Sequence, residues 1–471
     1  MKASRAASIV LTGAAVPLLI LAHRAFRLLV ELRRHAADEP TQRDVALLSA
    51  ALALVGALIL AAGRLRSPLR VNLALALASA TATLYLFEAW RALDDPVARR
   101  LTEKIAIIES LNREGKNAYG GVEPVRFIWS PEPGGPASVA VKGRATLPLA
   151  GISRKLTVDC KEVDGQPWLI FVTDEHGFHN PPGLWVDAPV ELAAVGDSFT
   201  AGNCVPPDQN MLGRLRQHYP SALNLGMAGS GPLLMLAEVL EYLPLARPRI
   251  VLWCHYGGND LRNLRRERRH PILTRYLEDG FRQGLPEKQA AVDAALEEYY
   301  GSWLSERMAR LARHTVSLSS VLALRATRAQ LGLTFPDPAS FAPSDEEFEL
   351  FATILERARA AVGRWGGRLY FVYLPAWSAP PRQAGETAVV DLDARTRRRV
   401  LSITAQLGLT VVDLADAFAS HPNPASLFAC PGCHYSAEGY RLAAENVFAA
   451  LESAGVAPQL PDRNALSAGQ P

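Results

Sequence analysis

The chain has 471 residues with 50 Lys and Arg against 47 Asp and Glu, a net charge of +3. Residues 1–100 carry 13 basic and 7 acidic side chains, net +6, so the remaining 371 are slightly acidic at net −3. That distribution excludes a general polyanion binder, and no nucleic-acid partner is expected. A hydrophobic content of 49% excludes disorder. Five cysteines in this length exclude a disulfide scaffold, although one or two bridges are compatible with a compartment outside the cytoplasm.

Three uncharged apolar runs come first: Ala6–Ala22, Val45–Gly63 and Val71–Phe87. A bilayer core needs roughly 20 helical residues. The second run fits best, and the others reach that length with their flanks. A signal-peptide core at Ala6–Ala22, behind Lys2 and Arg5, fits less well, because no clean small-x-small site precedes Arg24–Arg34. Three such runs within 90 residues are also hard to bury in a soluble protein. Residues 1–95 therefore read as a multi-pass anchor of two to three transmembrane helices, with the bilayer as a partner and the cell inner membrane as the location. With three spans, five basic flanking residues lie on one side and eight on the other, which leans toward a cytoplasmic C-terminal region without deciding the side.

Residues 96–185 read as a mixed linker or accessory region. Leu101–Glu114 has helical spacing, Pro131–Gly135 reads as a loop, and short β-rich pieces lie at Ser138–Val141 and Trp168–Val172. From residue 186 to 455 apolar strands alternate with helical stretches. The strands are Val190–Val195, Leu223–Leu225, Ile250–His255, Leu369–Leu374 and Thr410–Leu414, with helices such as Leu233–Tyr242 and Ala437–Leu451 between and after them. This alternation predicts an α/β domain with a doubly wound parallel sheet. A charged helical insertion is expected over about 262–345, its arginine-rich start Arg262–His270 being a solvated helix face, and 456–471 reads as a disordered tail. No internal repeat is present.

Gly196-Asp197-Ser198-Phe199-Thr200 follows the first of these strands, so Ser198 stands at the carboxyl end of a parallel sheet, where such folds place ligands. A nucleophile elbow of the α/β-hydrolases would need glycine where Thr200 stands. Asn224-Leu225-Gly226-Met227-Ala228-Gly229 ends the second strand and Gly257-Gly258-Asn259-Asp260 the third; His434 precedes the closing helix. These four blocks, in this order over roughly residues 190–450, resemble the SGNH (GDSL-type) hydrolases, and Thr173–Trp185 resembles the lead-in of membrane-anchored bacterial members. The resemblance implies a three-layer, flavodoxin-like sheet and a serine esterase without a cofactor. In it, Ser198 is the nucleophile and His434 the base. Gly229 and Asn259 form the oxyanion hole with the Ser198 N–H. Asp197 and Asp260 hold loops. The implied substrate is an acylated small molecule or glycan, cleaved at acetyl or similar ester bonds. Two alternatives accompany this reading: an O-acyltransferase modifying a cell-envelope glycan, and a catalytically silent anchored binding protein.

Relatives place an aspartate three residues before the histidine, where this chain has Pro431. A Ser–His dyad, or a carboxylate such as Asp413 or Asp416, must then serve. Cys430-Pro431-Gly432-Cys433-His434 also fits the attachment pattern of c-type haem, with His434 as axial ligand. A Cys430–Cys433 bridge or two free thiols are the simpler readings. His176 and His179 are spaced as a metal pair, but their loop reads as structural or as substrate rim. Cys160 and Cys204 are free to pair only outside the cytoplasm. Oligomeric state is not legible.

Overall fold

The structure, a computed structural model, describes residues 2–34, 39–93, 96–129, 137–186, 189–312, 321, 324, 327, 342–376, 387–456 and 458. The tail expected over 456–471 and much of the insertion's second half therefore lie outside the described residues. The chain divides into two compact units, Met1–Thr102 with Arg307–Ala342, and Glu103–Glu306 with Pro343–Pro471.

The first unit is built on the helices Lys2–Arg34, Glu39–Ala62 and Ser67–Leu93. Alanines on the first helix permit close approach: Ala7, Ala15, Ala22 and Ala25 are buried, and Ser49 Oγ donates to the Ala22 carbonyl at 3.0 Å. Large apolar side chains point outward instead, including Ile9, Leu54, Leu75 and Leu86, all more than half exposed. Among the described residues two helices are long and apolar enough to cross a membrane, Arg5–Arg27 and Ser67–Arg91. The middle apolar helix, Ser49–Ala62, is shorter, although its run fits a span best by sequence length.

The second unit opens with small pieces. Strands β1 (Ala118–Gly120), β4 (Leu156–Val158) and β5 (Ile170–Val172) form a sheet in the order β1-β4-β5, with β1 parallel and β5 antiparallel to β4. Strands β2 (Val139–Val141) and β3 (Arg144–Thr146) pair as a hairpin. The segment 159–169 thus becomes the loop joining β4 to β5, held at its base by Asp159 N–H to Leu169 O at 2.8 Å and Leu169 N–H to Cys160 O at 2.9 Å.

The main sheet contains β6 (Leu192–Val195), β7 (Leu223–Asn224), β8 (Ile250–Tyr256), β9 (Arg368–Leu374) and β10 (Thr410–Asp413). Its order is β10-β9-β8-β6-β7, all parallel. This is the doubly wound order with its reversal between β6 and β8. Every residue of β8 is buried, as a strand covered on both faces requires. Alternation along the strands separates two cores. Ala193, Val195, Val251, Trp253 and Phe371 face the side that buries Leu233–Ala237 and Phe351. Leu192, Ala194, Leu252, Cys254 and Val372 face the side packed with Met211, Leu215, Tyr440 and Val447. The helix Asp345–Gly363 starts at a capping box in which Ser344 and Glu347 satisfy each other's backbone N–H groups. Glu347 is gripped by Arg265 at 2.6 and 2.7 Å.

Candidate active site

Ser198 is the first residue of a one-turn helix, Ser198–Ala201, entered directly from β6. Asp197 caps it, its Oδ1 accepting the Phe199 N–H at 2.9 Å. Two glycines make the turn possible by their lack of a side chain. A Cβ on Gly196 would lie 2.0 Å from Thr200 Oγ1, and one on Gly226 would lie 2.3 Å from the Ala201 nitrogen. The strand-to-helix turn is therefore packed against the block that follows β7.

The Ser198 hydroxyl donates to His434 Nε2 across 2.8 Å. The other ring nitrogen, Nδ1, donates to Glu162 Oε1. The same carboxylate oxygen accepts the His434 backbone N–H at 3.1 Å. An ionised carboxylate only accepts, so the proton sits on Nδ1 and the Nε2 lone pair faces the serine. The imidazole also lies against the Phe199 ring, centroids 4.8 Å apart, and Phe199 stacks on Tyr256 at 3.7 Å. Ser198 is 7% exposed.

Glu162 corrects the expectation of a dyad or of an acid at Asp413 or Asp416. Asp413 is engaged by Arg397 Nε at 2.9 Å, and Asp416 lies 3.4 Å from the same guanidinium. The carboxylate on the imidazole thus comes from the loop between β4 and β5 and not from position 431. That loop is anchored to the nucleophile's side: Cys160 is bridged to Cys204, and Gln166 accepts from the Glu162 N–H at 3.0 Å while donating to the Cys204 carbonyl at 2.7 Å. Lys161 completes the anchoring through Glu103 at 2.6 Å. In the sequence, the signal for Glu162 was a half-cystine two residues before it, with its mate six residues after Ser198.

Cys430 and Cys433 lie paired, and His434 Nε2 faces Ser198 where the haem-attachment pattern would make it an axial ligand. Cys254 is the one free cysteine, buried in β8. His176 and His179 face different partners. His176 Nδ1 meets Gln289 Oε1 at 3.2 Å, with its ring edge-on to Trp185. His179 Nδ1 donates to the Ala201 carbonyl at 3.0 Å, and burial lowers its pKa to about 4. The pair is structural. Their segment folds around Asp174, which accepts from the N–H groups of His176 and Phe178, from Asn180 Nδ2 and from Trp185 Nε1.

Gly229 has φ +76°, a conformation that favours glycine. A Cβ there would also lie 2.7 Å from Val125 Cγ1 and 3.1 Å from the Trp129 ring, so the segment 125–129 stands over this turn. Asn259 precedes the helix Asp260–Glu267 that follows β8. One side chain unites the two: Asn263 Nδ2 donates to the Gly229 carbonyl at 3.1 Å and to Asn259 Oδ1 at 3.3 Å. Asn263 and Glu267 were missed in the sequence because they sit among arginines on a stretch read as solvated. Asp260 is buried, accepting the Tyr256 N–H at 3.0 Å, and has a loop-holding place, as Asp197 does. Burial, helped by Asp260, pushes the Asp197 carboxyl up to about 8, against the Phe199 N–H, His434 and the Asn259 amide.

A three-layer α/β fold with a serine, a histidine and a carboxylate in hydrogen-bonded line at the switch point is the arrangement that serine hydrolases use. Residues 194–442, just over half of the chain, match the GDSL-like Lipase/Acylhydrolase family. The chain belongs to that family of ester hydrolases. No curated protein matches the sequence. Solved structures similar to it include a lipolytic protein of the G-D-S-L family from Desulfitobacterium hafniense, at 13% identity and TM-score 0.31, covering 56% of this chain and 99% of that one. A lipase/acylhydrolase from Enterococcus faecalis has 16% identity and TM-score 0.31, with 57% and 100% covered. An acetyl xylan esterase, AlAXEase, has 9% identity and TM-score 0.33, with 56% and 100% covered.

Three outcomes follow from this geometry. Glu162→Gln should lower kcat at least about a hundredfold by disturbing the imidazole tautomer, whereas Asp413→Asn should stay within about threefold of wild type; steady-state ester hydrolysis compares them. Removing the 160–204 bridge with Cys160→Ser and Cys204→Ser should cost more activity than removing 430–433, because only the former ties the acid to the nucleophile's loop; its loss also releases about 4 kcal/mol of chain-entropy stabilisation. Asp197 holds its proton up to about pH 8 when folded but only to about pH 4 when unfolded. The folded state therefore binds the extra proton in that window, and stability falls as pH rises through it. Asp197→Asn keeps the cap acceptor, so its Tm should gain on wild type from pH 5 to pH 8; a constant difference would refute the assignment.

Proposed function

We propose that the protein is a membrane-anchored serine esterase that cleaves short acyl esters, acetyl above all, through an acyl-enzyme on Ser198. The observation that carries this is the line from Ser198 Oγ to His434 Nε2, 2.8 Å, and from His434 Nδ1 to Glu162. As Ser198 Oγ attacks the ester carbonyl, His434 Nε2 takes its proton, and Glu162 stabilises the imidazolium by accepting from Nδ1. The carbonyl oxygen becomes an oxyanion facing the N–H groups of Ser198 and Gly229 and the amide of Asn259; each such donor is typically worth about 3–4 kcal/mol in the transition state. The tetrahedral intermediate collapses by breaking the bond to the alkoxy group, which leaves with the proton from His434. Water then attacks the acyl-enzyme, gives its proton to Nε2, and releases the acid and a reprotonated Ser198.

A short acyl group is supported by Val125 and Trp129, which close the space over Gly229. Anchoring is supported by the two long apolar helices and by their outward apolar side chains. The catalytic unit belongs on the oxidising side of the inner membrane, because it carries both disulfides, and such bonds are rare in the cytosol. That reading outweighs the narrow lean of the flanking basic residues.

Ser198→Ala should lower the release of acetate from acetyl esters at least about a thousandfold with the fold retained, and a fluorophosphonate probe should label the wild type alone. The wild type should prefer p-nitrophenyl acetate to the octanoate. Undiminished turnover in folded Ser198→Ala would overturn the nucleophile, and recovery of the chain in the soluble fraction would overturn the anchor.

A further inference from the structure

We propose that Asn263 is a positioning residue for the oxyanion hole, setting the Gly229 turn and the Asn259 amide together, with Glu267 fixing the turn from behind. This rests on the reading of Gly229 and Asn259 given above. Asn259, Asn263 and Glu267 are spaced four residues apart, so the helix Asp260–Glu267 and its leading residue present them along one face. That face is buried: Asn263 is 1% exposed and Glu267 0%.

The amide nitrogen of Asn263 has two hydrogens, and two acceptors lie within reach, Gly229 O at 3.1 Å and Asn259 Oδ1 at 3.3 Å. The second contact decides which way the Asn259 amide faces. With Oδ1 committed to Asn263, the Nδ2 end faces Asp197 and keeps its second hydrogen for an oxyanion. A flipped Asn259 would present an acceptor to developing negative charge and repel it. The first contact holds the Gly229 carbonyl toward the helix, and the turn around it is closed by the Ser230 N–H to Met227 O at 3.0 Å. Glu267 then accepts the N–H groups of Gly231 at 2.6 Å and Leu233 at 2.9 Å, at the start of the helix Pro232–Glu241. The two strand ends that contribute donors, after β7 and after β8, are thereby fastened by one short helix. The fit is close, since a Cβ on Gly231 would lie 2.8 Å from Asn263 Cβ and 2.8 Å from Glu267 Oε2.

The test uses the full-length chain in detergent with p-nitrophenyl acetate, and Tm measured for each variant. Asn263→Ala should lower kcat about tenfold or more with KM within about threefold, because the substrate's ground state does not use the oxyanion donors. Asn263→Asp preserves shape but offers only acceptors, so it should fall about as far as Asn259→Ala, near a hundredfold. In the Asn259→Ala background, adding Asn263→Ala should cost no more than about threefold further, since the partner through which Asn263 acts is already gone. Asn263→Ser, a smaller side chain that keeps a donor, should retain more kcat than the alanine variant and guards against a failure to fold. Wild-type kcat in folded Asn263→Asp, or losses that simply multiply in the double variant, would overturn the proposal. Unchanged kcat in Asn259→Ala or Ser198→Ala would instead overturn the reading on which it rests.

Discussion

Hydrogen bonding of β6 to β8 governs where the rest of the site can lie. Because the strand between them in sequence, β7, pairs on the far side of β6, connections leave β6 and β8 in opposite directions and a crevice opens at their carboxyl ends. Ser198 emerges from the first of these strands and Asn259 from the second. Gly229 follows the outer strand, close enough for Asn263 to reach it. His434 arrives on the loop before the last helix, placed by the Tyr435 hydroxyl, which donates to the Pro375 carbonyl at 2.7 Å, and by the bridge between Phe428 and Tyr435. One pairing choice in the sheet therefore gathers residues separated by more than 230 positions.

Much of this was legible in the sequence. Doubly buried strands read as short apolar runs, and each is followed by a block of small or polar residues whose only purpose at that place is a turn or a ligand. The resemblance carried by those blocks pointed to Ser198, Gly229, Asn259 and His434, and the structure brings the first and last of them within 2.8 Å. Glu162 was not found, because the loop between β4 and β5 has no period to betray it and the strands beside it are three residues long. Asp413 was an example of a carboxylate on another loop, yet Arg397 already engages it. Asn263 and Glu267 were hidden for another reason: a helix that mixes arginines with buried amide and carboxylate looks solvated in composition, while its inward face buries Asp260, Asn263 and Glu267.

That inward polarity has an electrostatic side. Burial holds Glu267 up to about 8 even with two N–H donors on it, and pushes Glu238 and Asp260 well above the ordinary carboxyl range. Carboxyls that keep their protons near neutrality add no full negative charge behind the Gly229 turn and Asn259. Ionised acids in the same positions would oppose any negative charge developing beside Asn259.

The placement of Glu162 changes what the region before the sheet is. By position it is a connector between the apolar N-terminal helices and the family segment 194–442, and connectors ordinarily tolerate insertion and drift. Here the connector supplies the carboxylate on His434 and is tied by the Cys160–Cys204 disulfide to the segment that follows Ser198. The functional boundary of the enzyme therefore starts well upstream of its homologous boundary. Replacing the N-terminal helices, or grafting the main sheet onto a different scaffold, would keep the His434–Glu162 contact only if the cut fell before β1, so that the small sheet and its loop travel with the hydrolase.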